Sequence, residues 1–295
     1  MKVVKLFSIL IMISFVLISC DLFNPQPVDY HNKILFTSRR SGEQQLYMIN
    51  PNGNGLKQIT SGPYEHFDAR WSPDAQQIVC NTTENNSSLG PYLVLMNSDT
   101  SDRKLLTRGS IRDWSPDGDR FYYNSGYSSF LLCSYDKYGE NPMILSTIHS
   151  GYCSFSPLGD KILFSHDQDI HGGFTVFNFP EFEEPLHMDQ DGAFPSYSHS
   201  GEEIVFCYND PETDGYGTVY IMSSDGSNSR KIVEESTDYQ YYYPRWSPDD
   251  DKIIFLSSDY NMENWYLWMV DKDGSNLHKV LNDNTVTSCD WSQEL

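Results

Sequence analysis

Short apolar runs recur along the chain, each opened by a charged or polar residue: Lys33-Ile34-Leu35-Phe36, Gln77-Ile78-Val79-Cys80, Arg120-Phe121-Tyr122-Tyr123, Lys161-Ile162-Leu163-Phe164, Glu203-Ile204-Val205-Phe206 and Lys252-Ile253-Ile254-Phe255. Runs this short, rich in β-branched and aromatic residues, predict strands covered on both faces. A second apolar strand follows in several units, as in Leu46-Tyr47-Met48-Ile49, Tyr92-Leu93-Val94-Leu95-Met96, Val219-Tyr220-Ile221-Met222 and Leu267-Trp268-Met269-Val270. Turns at Asn52-Gly53, Asp225-Gly226 and Asp273-Gly274 then lead to a polar outer strand such as Leu56-Lys57-Gln58-Ile59-Thr60. No helical periodicity competes with this pattern.

Ahead of the apolar runs stands a repeated turn. Its copies are Trp71-Ser72-Pro73-Asp74-Ala75, Trp114-Ser115-Pro116-Asp117-Gly118, Phe155-Ser156-Pro157-Leu158-Gly159, Tyr197-Ser198-His199-Ser200-Gly201, Trp246-Ser247-Pro248-Asp249-Asp250 and a terminal Trp291-Ser292. The aromatics are spaced by 43, 41, 42, 49 and 45 residues. Ser-Pro-Asp-Gly suits a type I turn, because Ser accepts local hydrogen bonds at its first position, Pro presets φ at the second and Gly tolerates the fourth. A period of about 40–50 residues built only of strands points to propeller blades of four strands each. The motif resembles that of TolB-type β-propellers, and the resemblance covers residues 30–292. It implies an all-β, six-bladed β-propeller of four-stranded antiparallel blades. Two copies depart from the pattern: one lacks Pro, and in another Leu158 replaces Asp. Weaker turns are expected there. The first strand, at Lys33 to Thr37, corresponds to the second strand of a blade, and Ser288 to Ser292 to an innermost strand, so the two termini are expected to close the ring by pairing in one blade.

Residues 1–20 have a different character. Lys2 and Lys5 precede an apolar run from Leu6 to Ile18, of signal-peptide length, and Leu17-Ile18-Ser19-Cys20 resembles a bacterial lipobox. The expected division is a lipoprotein signal peptide at 1–19, a lipidated tether at 20–30 beginning with Cys20, and a single propeller domain at 31–295. TolB proteins carry an α/β domain before the propeller; the ten residues 21–30 after Cys20 leave no room for one in this reading. The implied location is the bacterial cell envelope, anchored by lipid to the inner or outer membrane, with the propeller in the periplasm or at the cell surface.

Charge narrows the function. The 295 residues contain 41 Asp and Glu against 20 Lys and Arg, a net charge of −21, and loss of Lys2 and Lys5 with the signal would make it −23. Nucleic-acid binding is excluded, since phosphate contacts require clustered Lys and Arg. Membrane attachment is expected through the lipid alone. Cys80, Cys133, Cys153, Cys207 and Cys289 follow Cys20, without a C-x-x-C pair, and sit mostly in apolar runs, so they read as small buried hydrophobes.

In a four-stranded blade the Ser-Pro-Asp-Gly turns fall on one face of the ring. The longer, uneven loops at 81–91, 165–173, 208–217 and 257–265 fall on the other, where binding is expected. Residues just ahead of each inner strand should ring the channel mouth. The candidates are His66, Arg70, Arg112, His149, Tyr152, Tyr241, Tyr243 and Arg245, with Trp265 on a long loop. Arg and Tyr suit a protein-binding or carboxylate-binding mouth. No catalytic residue is assigned, because no G-x-S-x-G, H-E-x-x-H or P-loop pattern occurs. No cofactor is expected; a divalent cation at His149, His166 and His171 is the exception considered. The reading is thus a monomeric, lipid-anchored binding or scaffold protein for an envelope protein or peptide. The alternative is a metal-assisted lyase or hydrolase acting on an acidic oligosaccharide.

Overall fold

A computed structural model describes residues 29–87, 90–125, 131–146, 151–165, 173–210 and 215–293. Cys20, His149, His166 and His171 lie outside the described residues.

The chain opens with β1 (Ile34–Ser41), β2 (Glu43–Ile49) and β3 (Lys57–Gln58). The next blade holds β4 (His66–Trp71), β5 (Gln77–Ser87), β6 (Gly90–Asn97) and β7 (Lys104–Arg108). A third comprises β8 (Ser110–Trp114), β9 (Arg120–Ser125), β10 (Leu131–Asp136) and β11 (Met143–Ser146), and a fourth β12 (Cys153–Phe155), β13 (Lys161–Ser165), β14 (Phe174–Asn178) and β15 (Glu183–Met188). The fifth has β16 (Ala193–Tyr197), β17 (Glu203–Asp210), β18 (Gly215–Ser223) and β19 (Arg230–Val233), and the sixth β20 (Tyr239–Trp246), β21 (Lys252–Asp259), β22 (Trp265–Asp271) and β23 (His278–Lys279). Finally β24 (Val286–Trp291) returns to the first blade, whose sheet order is β24-β1-β2-β3. Six four-stranded antiparallel sheets result, a six-bladed β-propeller.

The predicted apolar runs supply the core. Ile34, Leu35, Ile78, Val79, Phe121, Ile162, Leu163, Ile204, Val205, Ile253 and Ile254 are all fully enclosed. Neighbouring side chains on these strands face opposite adjoining blades, which is why both are apolar. In the fifth blade Ile204 joins Leu163 and Val176 of the fourth, whereas Val205 joins Ile253 and Ile254 of the sixth.

Closure rests on β1 and β24. Ile34 pairs with Trp291 and Phe36 with Cys289. Ser292 Oγ donates to the Tyr30 carbonyl at 2.7 Å and accepts from the Lys33 amide at 2.7 Å. At the other end of the seam, Asp283 Oδ2 receives Ser38 Oγ at 2.7 Å and Arg40 Nη2 at 2.6 Å. Burial pushes the Asp283 carboxyl up, but these donors and Thr285 outweigh it and hold it below the usual carboxylate range.

The repeated turns behave as their composition implies, and the two irregular ones are repaired. Ser72, Ser115 and Ser247 each donate to the Asp two residues later at 2.6, 2.5 and 2.5 Å. Where Leu158 replaces that Asp, Ser156 Oγ donates instead to Asp160 at 2.7 Å. In the turn without proline, Asp250 of the sixth blade accepts from the backbone amides of His199 at 2.7 Å and Ser200 at 2.8 Å. His199 Nδ1 lies 3.0 Å from the same carboxylate. Asp250 itself occupies the left-handed position of its own turn, with φ of 58°. Glycine would fit there with less strain, so the cross-blade clamp explains an aspartate. Asp250→Ala is expected to lower unfolding stability by about 1–3 kcal/mol, measured by urea denaturation. Burial raises the Asp250 carboxyl, but bonds from His199 and Ser200 prevail and it lies low. The clamp is therefore present at neutral pH and lost as pH falls through the folded-state value.

Candidate functional site at the channel mouth

Each inner strand runs from the long-loop face to the turn face, so equivalent positions along β4, β8, β12, β16, β20 and β24 stack as layers down the channel. The residue before each motif aromatic forms one layer: Arg70, Asp113, Ser154, Ser196, Arg245 and Asp290 in ring order. Burial opposes the charge on Arg70, yet Asp290, Asp113 and Asp68 outweigh it and hold the guanidinium above its usual range. Arg245 goes the other way, because burial and repulsion from Arg70 exceed the pull of Asp113 and Asp290. Its Nε is 3.9 Å from Asp290 Oδ1. Burial raises the carboxyls of Asp68, Asp113 and Asp290 despite the arginines.

Cavities open from both ends toward this layer. At the turn end a cavity of about 280 Å³ is walled by all six motif aromatics and floored by Asp113, Arg245 and Asp290. At the long-loop end a cavity of about 210 Å³ is lined by Asp68, Arg70, Ser110, Ile111, Arg112, Tyr152, Tyr243, Ser288 and Cys289.

The long-loop mouth is shaped by bulges. The register of the inner strand shifts between Phe67 and Arg70, between Ala193 and Ser196, and between Tyr242 and Arg245. Within those shifts Asp68, Phe194 and Tyr243 adopt φ of 51°, 57° and 53°. All three stand third before the motif aromatic. A left-handed residue costs about 1–2 kcal/mol unless it is glycine, and bulges re-aim side chains. Phe194 packs against Tyr152 and Tyr243 at centroid distances of 4.4 and 4.5 Å. Tyr152 and Tyr243 share a hydrogen bond at 3.0 Å between their hydroxyls. The Arg112 guanidinium lies over the Tyr152 ring at 5.3 Å, and its buried Nε has no hydrogen-bond partner among the described residues. Desolvation, and then the neighbouring Tyr152, push the Tyr243 hydroxyl well above the ordinary tyrosine range. Burial drives the Cys289 thiol up to about 12, which removes its nucleophilic form at neutral pH.

Of the residues expected at the mouth, Arg70, Arg112, Tyr152 and Tyr243 converge there. Arg245 lines the turn-end cavity instead. His66 begins β4 with its ring enclosed, and desolvation lowers its basicity. Tyr241 is buried edge-on against Phe255 and lines a groove between the fifth and sixth blades. Regular alternation would put it on the same face as Tyr243 two residues on; the bulge at Tyr243 breaks that alternation and separates the two rings. Trp265 is half-buried, packed at a tilt against Tyr242 at 5.0 Å between centroids, with Nε1 donating to the Met262 carbonyl. Asp68, Asp113 and Asp290 are additional channel residues. Their signal was the position they share with Arg70 and Arg245 relative to the motif aromatic, or with Tyr243 three residues before it. Among the described residues no three His, Cys, Asp or Glu side chains are grouped to hold a metal ion, so no step through a metal follows from them.

No family model matches the chain. It is 24% identical over 260 residues to the uncharacterized protein Atu1656 of Agrobacterium fabrum, covering 78% of this chain and 82% of that one. TolB from Acinetobacter baumannii superposes with a TM-score of 0.75 at 17% identity, over 91% of this chain and 68% of that chain. An oligogalacturonate lyase solved in complex with manganese superposes with a TM-score of 0.52 at 13% identity, over 85% and 74%. Repeat, sheet order and superposition agree that this chain has a TolB-like, six-bladed β-propeller fold.

Proposed function

We propose that the protein is a binding module of the bacterial cell envelope, held to a membrane through lipid on Cys20, that takes a protein or peptide partner at the long-loop end of its channel. One observation carries this reading. Three inner strands spend backbone strain to hold Asp68, Phe194 and Tyr243 at one level of the channel, beside Tyr152 and Arg112. Strained non-glycine residues persist where the surroundings enforce them, and they concentrate at ligand-contacting sites. Aromatic rings with an arginine at the centre of a concave surface are the composition of interface hot spots. The cavity's two arginines outnumber its single aspartate, so the large acidic excess lies elsewhere and does not by itself choose the partner's charge.

The TolB-like fold supports a scaffold for protein contacts. The lyase likeness is one of fold.

Affinity capture from solubilised envelopes tests the proposal. The intact protein is expected to retain a partner that Arg112→Ala and Tyr152→Ala each release by about tenfold, the effect of losing one hot-spot side chain. A partner held equally by both variants would move the interface away from the mouth.

A further inference from the structure

A larger cavity lies outside the channel. A groove of about 550 Å³ separates β19 and the segment after it from one face of the sixth blade. Tyr239, Tyr241, Phe255 and Trp268 form one wall, and Lys231, Glu234 and Glu235 stand on the other. Strand pairing puts these rings on one face: Tyr241 pairs with Ser257, Ser257 with Tyr266, and Phe255 with Trp268. At the outer edge, Lys279 of β23 pairs with Trp268 and turns its side chain back over the sheet. Its Nζ sits 3.2 Å from the centroid of Tyr266, 5.2 Å from Trp268 and 5.6 Å from Tyr239. The rings themselves meet edge to face, Tyr239 against Tyr266 at 5.9 Å and against Trp268 at 6.2 Å.

This is a three-ring cage around an ammonium. Its present occupant is poorly suited to it, since burial lowers the Lys279 amine. A primary ammonium is compact and strongly hydrated, so it loses much on entering a cage of π faces. A quaternary ammonium sheds its weak hydration readily and contacts all three faces with its methyl groups, which is how aromatic cages select such ions. Of the acidic residues nearby, Asp238 and Asp259 are close enough to bias the Tyr239 hydroxyl, whereas Glu234 and Glu235 are engaged by Lys231 at 3.5 and 2.8 Å.

We propose that the aromatic face of the sixth blade, beside the groove that Tyr239 and Trp268 also line, binds quaternary ammonium groups in the Tyr239, Tyr266 and Trp268 cage, with Lys279 as a displaceable occupant. The side chain leaves outward, because β23 is the outermost strand of its blade. The site is separate from the channel mouth and does not depend on it.

Titration calorimetry of the full chain with tetramethylammonium chloride, against sodium chloride at equal ionic strength, tests this. Saturable binding specific to tetramethylammonium is expected. Lys279→Ala should tighten it by about tenfold, because the competing occupant is gone. Trp268→Leu and Tyr266→Leu should each abolish it; the second, at a half-exposed ring, serves if the first disturbs the fold. Choline and phosphatidylcholine vesicles then separate the source, binding of choline alone indicating a soluble cation and binding of both a lipid headgroup. No saturation above the sodium control in either the intact protein or Lys279→Ala overturns the proposal. So does unchanged binding in a folded Tyr266→Leu variant.

Discussion

A chain lacking Cys289 to Leu295 is expected to lose cooperative thermal unfolding. The deletion removes the pairings of Ile34 with Trp291, Leu35 with Asp290 and Phe36 with Cys289. It also strips the buried Trp291 and Cys289 from the first blade and Ser292 from its bonds to Tyr30 and Lys33. Burying one large apolar side chain stabilises by about 1.5–3 kcal/mol, and each lost buried hydrogen bond leaves a partner that costs about 1–3 kcal/mol. Their sum rivals a whole domain's stability of about 5–15 kcal/mol. An exposed β1 edge would in addition invite pairing between molecules. Differential scanning calorimetry reads the outcome, and a truncated chain that melts like the intact one would refute closure by this seam.

Arg70→Met is the second large effect. It leaves Asp68, Asp113 and Asp290 buried with less compensation, and removing one partner from such a network destabilises by about 3–5 kcal/mol. The pH dependence has a definite sign. Burial raises the folded-state values of all three carboxyls above those of an unfolded chain, so the folded state binds protons more readily and the penalty grows as pH rises through those values. Urea denaturation of Arg70→Met is therefore expected to approach the intact protein's stability on mild acidification. A deficit that widens on acidification would contradict the charged layer. Asp283 and Asp250 impose the opposite trend, since their lowered values stabilise at neutral pH and are lost in acid.

How far the sequence reveals this molecule depends on the range of the interaction. The apolar runs and Ser-Pro-Asp-Gly turns are local signals, and they specify strands, blade number and the pairing of β24 with β1. Clamps between blades are not local. Asp250 looks like an ill-suited turn residue until it is seen holding His199 and Ser200, which makes good the proline missing from that turn. Bulges have the same character. Nothing around Phe67 to Arg70 or Tyr242 to Arg245 announces an extra residue, yet one residue of slip decides which side chains reach the channel. Arg112, Tyr152 and Tyr243 are legible as mouth residues, whereas Tyr241 belongs to the interblade groove. The Lys279 cage needs three strands in register before it exists at all.

The central claim is that a partner sits on the long-loop end and not on the turn end. A photocrosslinking amino acid placed at Met262, exposed on the hairpin between β21 and β22, reports on the first. The same group at Leu158, 88% exposed in a Ser-Pro turn, reports on the second. Irradiation of intact cells is predicted to give a discrete adduct from position 262 and none from position 158. A discrete adduct from position 158 alone would contradict the account.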